Sequence, residues 1–371
     1  MSSGNENAAV HLRRAIEAAC AGLVDRGSLV ELIVLAAAAQ EHVLVVGPPG
    51  TAKSQAVRRL AAQLHGRYFE YLVGRFTEPT DIFGAVDLAR LREGQVEIQT
   101  RGMLPEAEIA FLDEVFLGSP AILNTLLGIL NERKFVRGHT RLDCPLRLCV
   151  GASNEIPEEP MLAAFADRFL VRVFVEPLAD EMLETLLDEG WRIPTQTTPM
   201  GSVQILDDVA NKAERMNPAG VRTAIAGAVR ALRKSGIQLT DRRIVRIQRL
   251  IAAAAALRGA EQPEPQDLWP IIYAIPTLEQ QTLGRDVLRD LLDSAANATL
   301  PRAAELASGS SSSRALRLCC AIEVLLKDES ADGFTRRAEA ILREIAAGFD
   351  ESHKPETLRD AELRLVARLP Q

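Results

Sequence analysis

Residues 42–54 read HVLVVGPPGTAKS, a short apolar run that breaks into a Gly/Pro-rich loop and ends in Lys-Ser. Val43 to Val46 carry no polar break, which suits a strand buried on both faces of a parallel sheet. Gly47, Pro48, Pro49, Gly50, Thr51 and Ala52 then form a turn. A loop of this kind, followed by a helix, cradles a phosphate chain with backbone N–H groups. Lys53 would reach the terminal phosphates and the Ser54 hydroxyl would ligate Mg²⁺. The pattern G-x-x-x-x-G-K-[ST] has a glycine where Ala52 stands, so this residue must hold a backbone conformation that alanine tolerates. The competing reading of the stretch is an ordinary strand-turn-helix connection.

The remainder of the chain bounds what surrounds this loop. Its 371 residues suffice for two or three domains, and 47% hydrophobic with 25% charged residues is a globular balance. Apolar runs such as LIVLAAAAQ and IAAAAALRG fall well short of the ~18 residues of a membrane span. The N-terminal MSSGNENAAVHLRR has no hydrophobic signal core. A soluble, cytoplasmic protein with no membrane span is the expectation. Cys20, Cys144, Cys149, Cys319 and Cys320 make no C-x-x-C pair or metal spacing, so they read as free thiols. A net charge of −7 disfavours nucleic acid as a whole-surface partner.

A phosphate loop needs carboxylates from elsewhere, and IAFLDE at residues 109–114 offers them at the end of an apolar strand. In a parallel sheet that end shares a rim with the loop. Asp113 would hold the Mg²⁺ shell and Glu114 would polarise the attacking water. The alternative for this acidic pair is an N-cap of the helix expected from Pro120 to Glu132. A third strand, from Leu146 to Ser153, ends at Asn154, whose amide suits orienting the water; alone, it reads as a turn residue. In FADRFLVRVFV, Arg168 lies between a short helix and another strand and could project into a neighbour's site as an arginine finger. For Arg172 a salt bridge with Asp167, or a solvated strand start, is the preferred reading.

The order of these motifs resembles an AAA+ ATPase of the MoxR family, RavA-like group. GPPGTAKS, RFTEPTDIFG, GMLPEAEIAFLDEVFLGSPAILNTLLGILNERKF, ASNEIPEEP and ADRFLVR carry the resemblance, over roughly residues 10–275. It implies ATP and Mg²⁺ as ligands, Lys53 and Ser54 as Walker A, Asp113 and Glu114 as Walker B, Asn154 as sensor 1 and Arg168 as the finger. Alanine at position 52 is normal within it. Sensor 2 falls in LTDRRIVRIQRL, with Arg242 chosen and Arg243 in reserve. Thr240 or Asp241 would cap that helix, and Ile244, Ile247, Leu250 and Ile251 form its apolar stripe.

Two insertions are expected between these motifs. Residues 76–106 read as a β-hairpin turning at Glu93-Gly94, matching the insert that the family has in its second helix. KFVRGHTRL reads as a second hairpin, turning at Gly138-His139 just before the sensor 1 strand. The fold class is α/β: an AAA+ parallel-sheet core with helix-2 and pre-sensor-1 hairpin insertions, an all-α lid and extra C-terminal helices. The expected divisions are 1–190 for the core, 203–275 for the lid and 276–371 for the C-terminal helices. WRIPTQTTPMGS links core to lid, and SGSSSSR is a connection or a loop leading into a serine-capped helix.

The expected function is a ring oligomer, hexameric by the resemblance, that hydrolyses ATP to remodel, activate or mature a protein client. A partner bearing a von Willebrand factor A domain is implied by the resemblance alone. The alternative is a DNA-acting motor or helicase loader. A nucleotide-binding scaffold with little hydrolysis is a third, opposed by the presence of Glu114 and Arg168.

Overall fold

The computed structural model describes residues 3–191, 199–309, 311–327, 334–349 and 354–369. The expected linker at 191–202 lies largely outside them, as does one residue of SGSSSSR. Among the described residues the strands are β1 (Val43–Val46), β2 (Tyr68–Leu72), β3 (Ile109–Asp113), β4 (Lys134–Arg137), β5 (Thr140–Asp143), β6 (Leu148–Ser153) and β7 (Val171–Phe174). β1 and β6 are buried at every position and β3 at all but its last, which is why they read as unbroken apolar runs. Five strands form a parallel sheet in the order β2-β3-β6-β1-β7.

Side chains alternate across this sheet with period two. Val43, Val45, Phe111 and Val150 enter one cluster with the N-terminal helices Ser3–Cys20 and Gly27–Ala38 and with the helices Gln204–Arg215, Ala219–Lys234 and Asp241–Arg258. Leu44, Val46 and Leu112 enter the other, beneath helix Pro120–Glu132. Packing does not break at residue 276. The first cluster runs on through Ala307, and the Tyr273 hydroxyl donates to Ala303 O at 2.7 Å. Helices Ser311–Lys327, Phe334–Gly348 and Glu356–Val366 have a separate core.

The second hairpin is β4-β5, turning at Gly138 with φ +60° and His139. The first insertion turns at Glu93–Gly94 as expected, but its outgoing limb is the short helix Leu88–Arg92 rather than a strand. The cause is Asp87, whose carboxylate accepts from Ala89 N (2.8 Å) and Arg90 N (3.2 Å) and caps that turn. A single bridge, Val86 to Ile98, joins the two limbs. The insertions also bind each other: His139 N donates to Val96 O at 2.9 Å and Ile98 N to Thr140 Oγ1 at 2.7 Å.

Candidate nucleotide site

β1 lies between β6 and β7, and β6 pairs with β3, so the loop after β1 shares a rim with Asp113, Glu114 and Asn154. Helix Lys53–Gln63 starts from that loop, and among the described residues no side chain caps its N-terminus. Its first N–H groups therefore remain available to an anion. Gly47 is required by packing, because a Cβ there would stand 2.1 Å from Val175 O. Ala52 sits at φ +60°, ψ 24°, the left-handed region that a second glycine would occupy without strain. Alanine holds this conformation at a cost of about 1–2 kcal/mol.

Lys53 is 7% exposed, and its ammonium donates to the carbonyls of Gly47 and Pro48, the latter at 3.0 Å. Burial lowers its pKa, opposed by the nearby carboxylates of Asp113 and Glu114. Glu114 also stands in left-handed backbone, at φ +50°. Asn154 Nδ2 donates to Glu114 Oε1 at 2.6 Å. Burial and the neighbouring Asp113 raise the Glu114 pKa, with Lys53 acting against them. Neither acid caps helix Pro120–Glu132, whose N-cap is Ser119, with its Oγ accepting from Ile122 N at 3.5 Å.

Lys53, Ser54, Asp113, Glu114 and Asn154 thus share one rim; Arg168 and Arg242 do not. Arg168 precedes β7 and lines a cleft of about 150 Å³ with Leu123, Asn124, Leu127, Met161 and Phe165. Arg242 Nη2 donates to Asn131 Oδ1 (2.5 Å) at the far end of helix Pro120–Glu132, and Arg246 pairs with Glu41, just ahead of β1, at 2.8 Å. These contacts mark the opposite rim, which β1 alone separates from the loop by roughly 13 Å at about 3.3 Å per residue. Arg243 is fully buried. Its Nε donates to Asp167 Oδ1 (2.6 Å), Nη1 to Leu170 O (2.9 Å) and Ala274 O (2.7 Å), and Nη2 to Phe169 O (2.9 Å). Thr240, not Asp241, caps this helix, its Oγ1 accepting from Arg243 N at 3.3 Å. Arg172 is neither solvated nor bonded to Asp167; it is 3% exposed and donates to Ala166 O.

One site residue left no mark in the sequence. Arg26, 5% exposed, donates from Nε to Thr51 O (2.9 Å), from Nη2 to Glu176 O (2.8 Å) and from Nη1 to Asp25 O (2.7 Å). It braces the phosphate loop against the chain after β7. Its loop partners lie 25 residues away and beyond, so no local pattern announces it.

With this geometry in place, comparison with known proteins decides the family. Residues 10–213, over half of the chain, match the family described as the MoxR domain in the MoxR-vWA-beta-propeller ternary systems. The chain belongs to the MoxR family of AAA+ ATPases. Protein MoxR of Paracoccus denitrificans is 26% identical over 330 residues, 78% of this chain and 95% of that one. Chaperone MoxR1 of Mycobacterium tuberculosis is 30% identical over 205 residues, 54% of this chain and 52% of that protein. Two uncharacterized proteins of Methanocaldococcus jannaschii are each 35% identical, and the match spans 66% and 64% of their lengths. The crystal structure of a candidate ATPase from Cytophaga hutchinsonii superposes with a TM-score of 0.62 over 80% of this chain and 98% of that one. At 18% identity that likeness is one of fold. Among the described residues no helix is long and apolar enough to cross a membrane.

Proposed function

We propose that this MoxR-family chain hydrolyses ATP within a hexameric ring and uses the cycle to remodel, activate or mature a protein client. A protein bearing a von Willebrand factor A domain is the partner in this reading, in keeping with the systems for which the family is described. The RavA-like grouping belongs to the same reading, resting on the motifs quoted above.

The observation that carries the proposal is the Asn154–Glu114 hydrogen bond of 2.6 Å beside the Lys53 loop. A glutamate held from one side by an amide keeps a fixed direction in which to take a proton from water. Its raised pKa brings it closer to the pH at which proton transfer is efficient. Lys53 and the open N–H groups of helix Lys53–Gln63 bind the phosphates. Mg²⁺ fits Ser54 and Asp113, since this ion takes one or two protein oxygens and fills its shell from phosphates and water; when bound, it neutralises charge between the terminal phosphates. Arg168, remote from its own loop, serves the site of the adjacent subunit.

Glu114→Gln tests this assignment. The variant is expected to retain ATP while phosphate release falls by at least ~10²-fold, the usual effect of losing a general base. Normal release would remove Glu114 from that role. Stimulation of wild-type turnover by a von Willebrand partner, and none by DNA, separates the client-remodelling reading from a DNA motor, whose stimulation would fall with salt.

A further inference from the structure

Arg168 is held in place chiefly by its backbone. Its N–H donates to Phe165 O at 3.0 Å, and among the described residues its buried Nε has no partner. The groups on either side of it are gripped instead. Arg172 of β7 holds Ala166 O, while Arg243 of helix Asp241–Arg258 holds the Asp167 carboxylate, Phe169 O and Leu170 O. Three of the four hydrogen bonds of one buried guanidinium therefore bracket position 168, and the fourth ties it to Ala274, at the end of the turn Trp269–Ala274.

The Asp167 carboxylate is bonded to Arg243 at 2.6 Å and also acts electrostatically on Arg172. Among the described residues, buried Nε and Nη1 of Arg172 lack acceptors, like Nε of Arg168. Burial, together with the charge of Arg243, lowers the Arg172 pKa to about 9.

We propose that Arg243 is a positioning residue for the Arg168 finger, so that the attitude of helix Asp241–Arg258 in one subunit sets turnover at the nucleotide site of the next. The inference rests on Arg168 acting in trans and deepens that reading. Arg243 touches no nucleotide in this scheme. Rotation of its helix pulls on Asp167 and on two carbonyls within two residues of the finger, and a displacement of about 1 Å is enough to lower a rate by ~10².

Mixed assemblies test it. Arg243→Ala and, separately, Asp167→Asn are assayed for phosphate release alone and after mixing with Glu114→Gln subunits, which carry an intact finger and an inert site. Each variant alone is expected to lose about 100-fold in kcat with KM little changed, and mixing restores turnover because the partner's finger serves the variant's sound site. Full activity of Asp167→Asn alone would overturn the proposal, and so would its failure to regain turnover where Arg168→Ala regains it. If Arg168→Ala also fails to be rescued, the trans finger itself is wrong and the coupling goes with it. Asp167→Asn keeps the decision open should Arg243→Ala not fold, because it breaks the ion pair while leaving the buried guanidinium its three backbone carbonyl acceptors.

Discussion

Ala52 and Glu114 stand in left-handed backbone on the two sides of the nucleotide site, at φ +60° and +50°. Non-glycine residues in that region are uncommon and persist where the surroundings over-determine them. For Ala52 the surroundings include Arg26, which holds the carbonyl of the preceding residue at 2.9 Å. Replacing Arg26 by alanine leaves the buried carbonyl of Thr51 and the partly buried one of Glu176 without their donor. Nucleotide affinity is expected to weaken about tenfold, equivalent to the ~1.4 kcal/mol of one hydrogen bond to a charged group. Titration with a fluorescent ATP analogue measures this, and an unchanged Kd would show that the loop holds its form unaided. The sequence singled out Lys53, Asp113, Glu114 and Asn154 because each lies at the end of an apolar strand or, for Lys53, at the end of the loop that follows one. It was silent on Arg26 and on the burial of Arg172 and Arg243, whose acceptors, the Asp167 carboxylate apart, are backbone carbonyls and therefore leave no trace in residue type.

Among elements, the strands and the β4-β5 hairpin follow the apolar pattern, whereas the first insertion departs from it because one capping aspartate, Asp87, outweighs a short alternation of side chains. The seam between the N-terminal helices and the C-terminal ones was not legible either. There the buried carboxylate of Glu31 accepts from Ala303 N at 2.7 Å, at the start of helix Pro301–Ser308. Burial pushes the Glu31 pKa up to about 8. The folded state therefore holds this proton between about pH 4.5 and 8 while the unfolded chain has released it, so stability falls as pH rises through that window. Glu31→Gln keeps an acceptor oxygen and removes the titration. Its thermal midpoint, compared with that of the wild type, is expected to gain progressively from pH 5 to 8; a difference that stays constant across the window would mean that Glu31 is not buried as a neutral acid.

At the scale of the whole molecule, the proposed function gives different tasks to the two rims of one sheet. The rim at the strands' C-terminal ends carries the phosphate loop, the acidic pair and Asn154. The other carries Arg168, Arg242 and the helix whose Arg243 grips the residues flanking Arg168. In that reading the two meet only between subunits, which makes catalysis a property of neighbours. The direct measurement is phosphate release from Arg168→Ala subunits mixed with Glu114→Gln subunits, each inactive alone. Turnover that appears on mixing and peaks near equal proportions is the predicted result. Mixtures that stay inactive at every ratio, with assembly intact, would contradict a site shared between subunits.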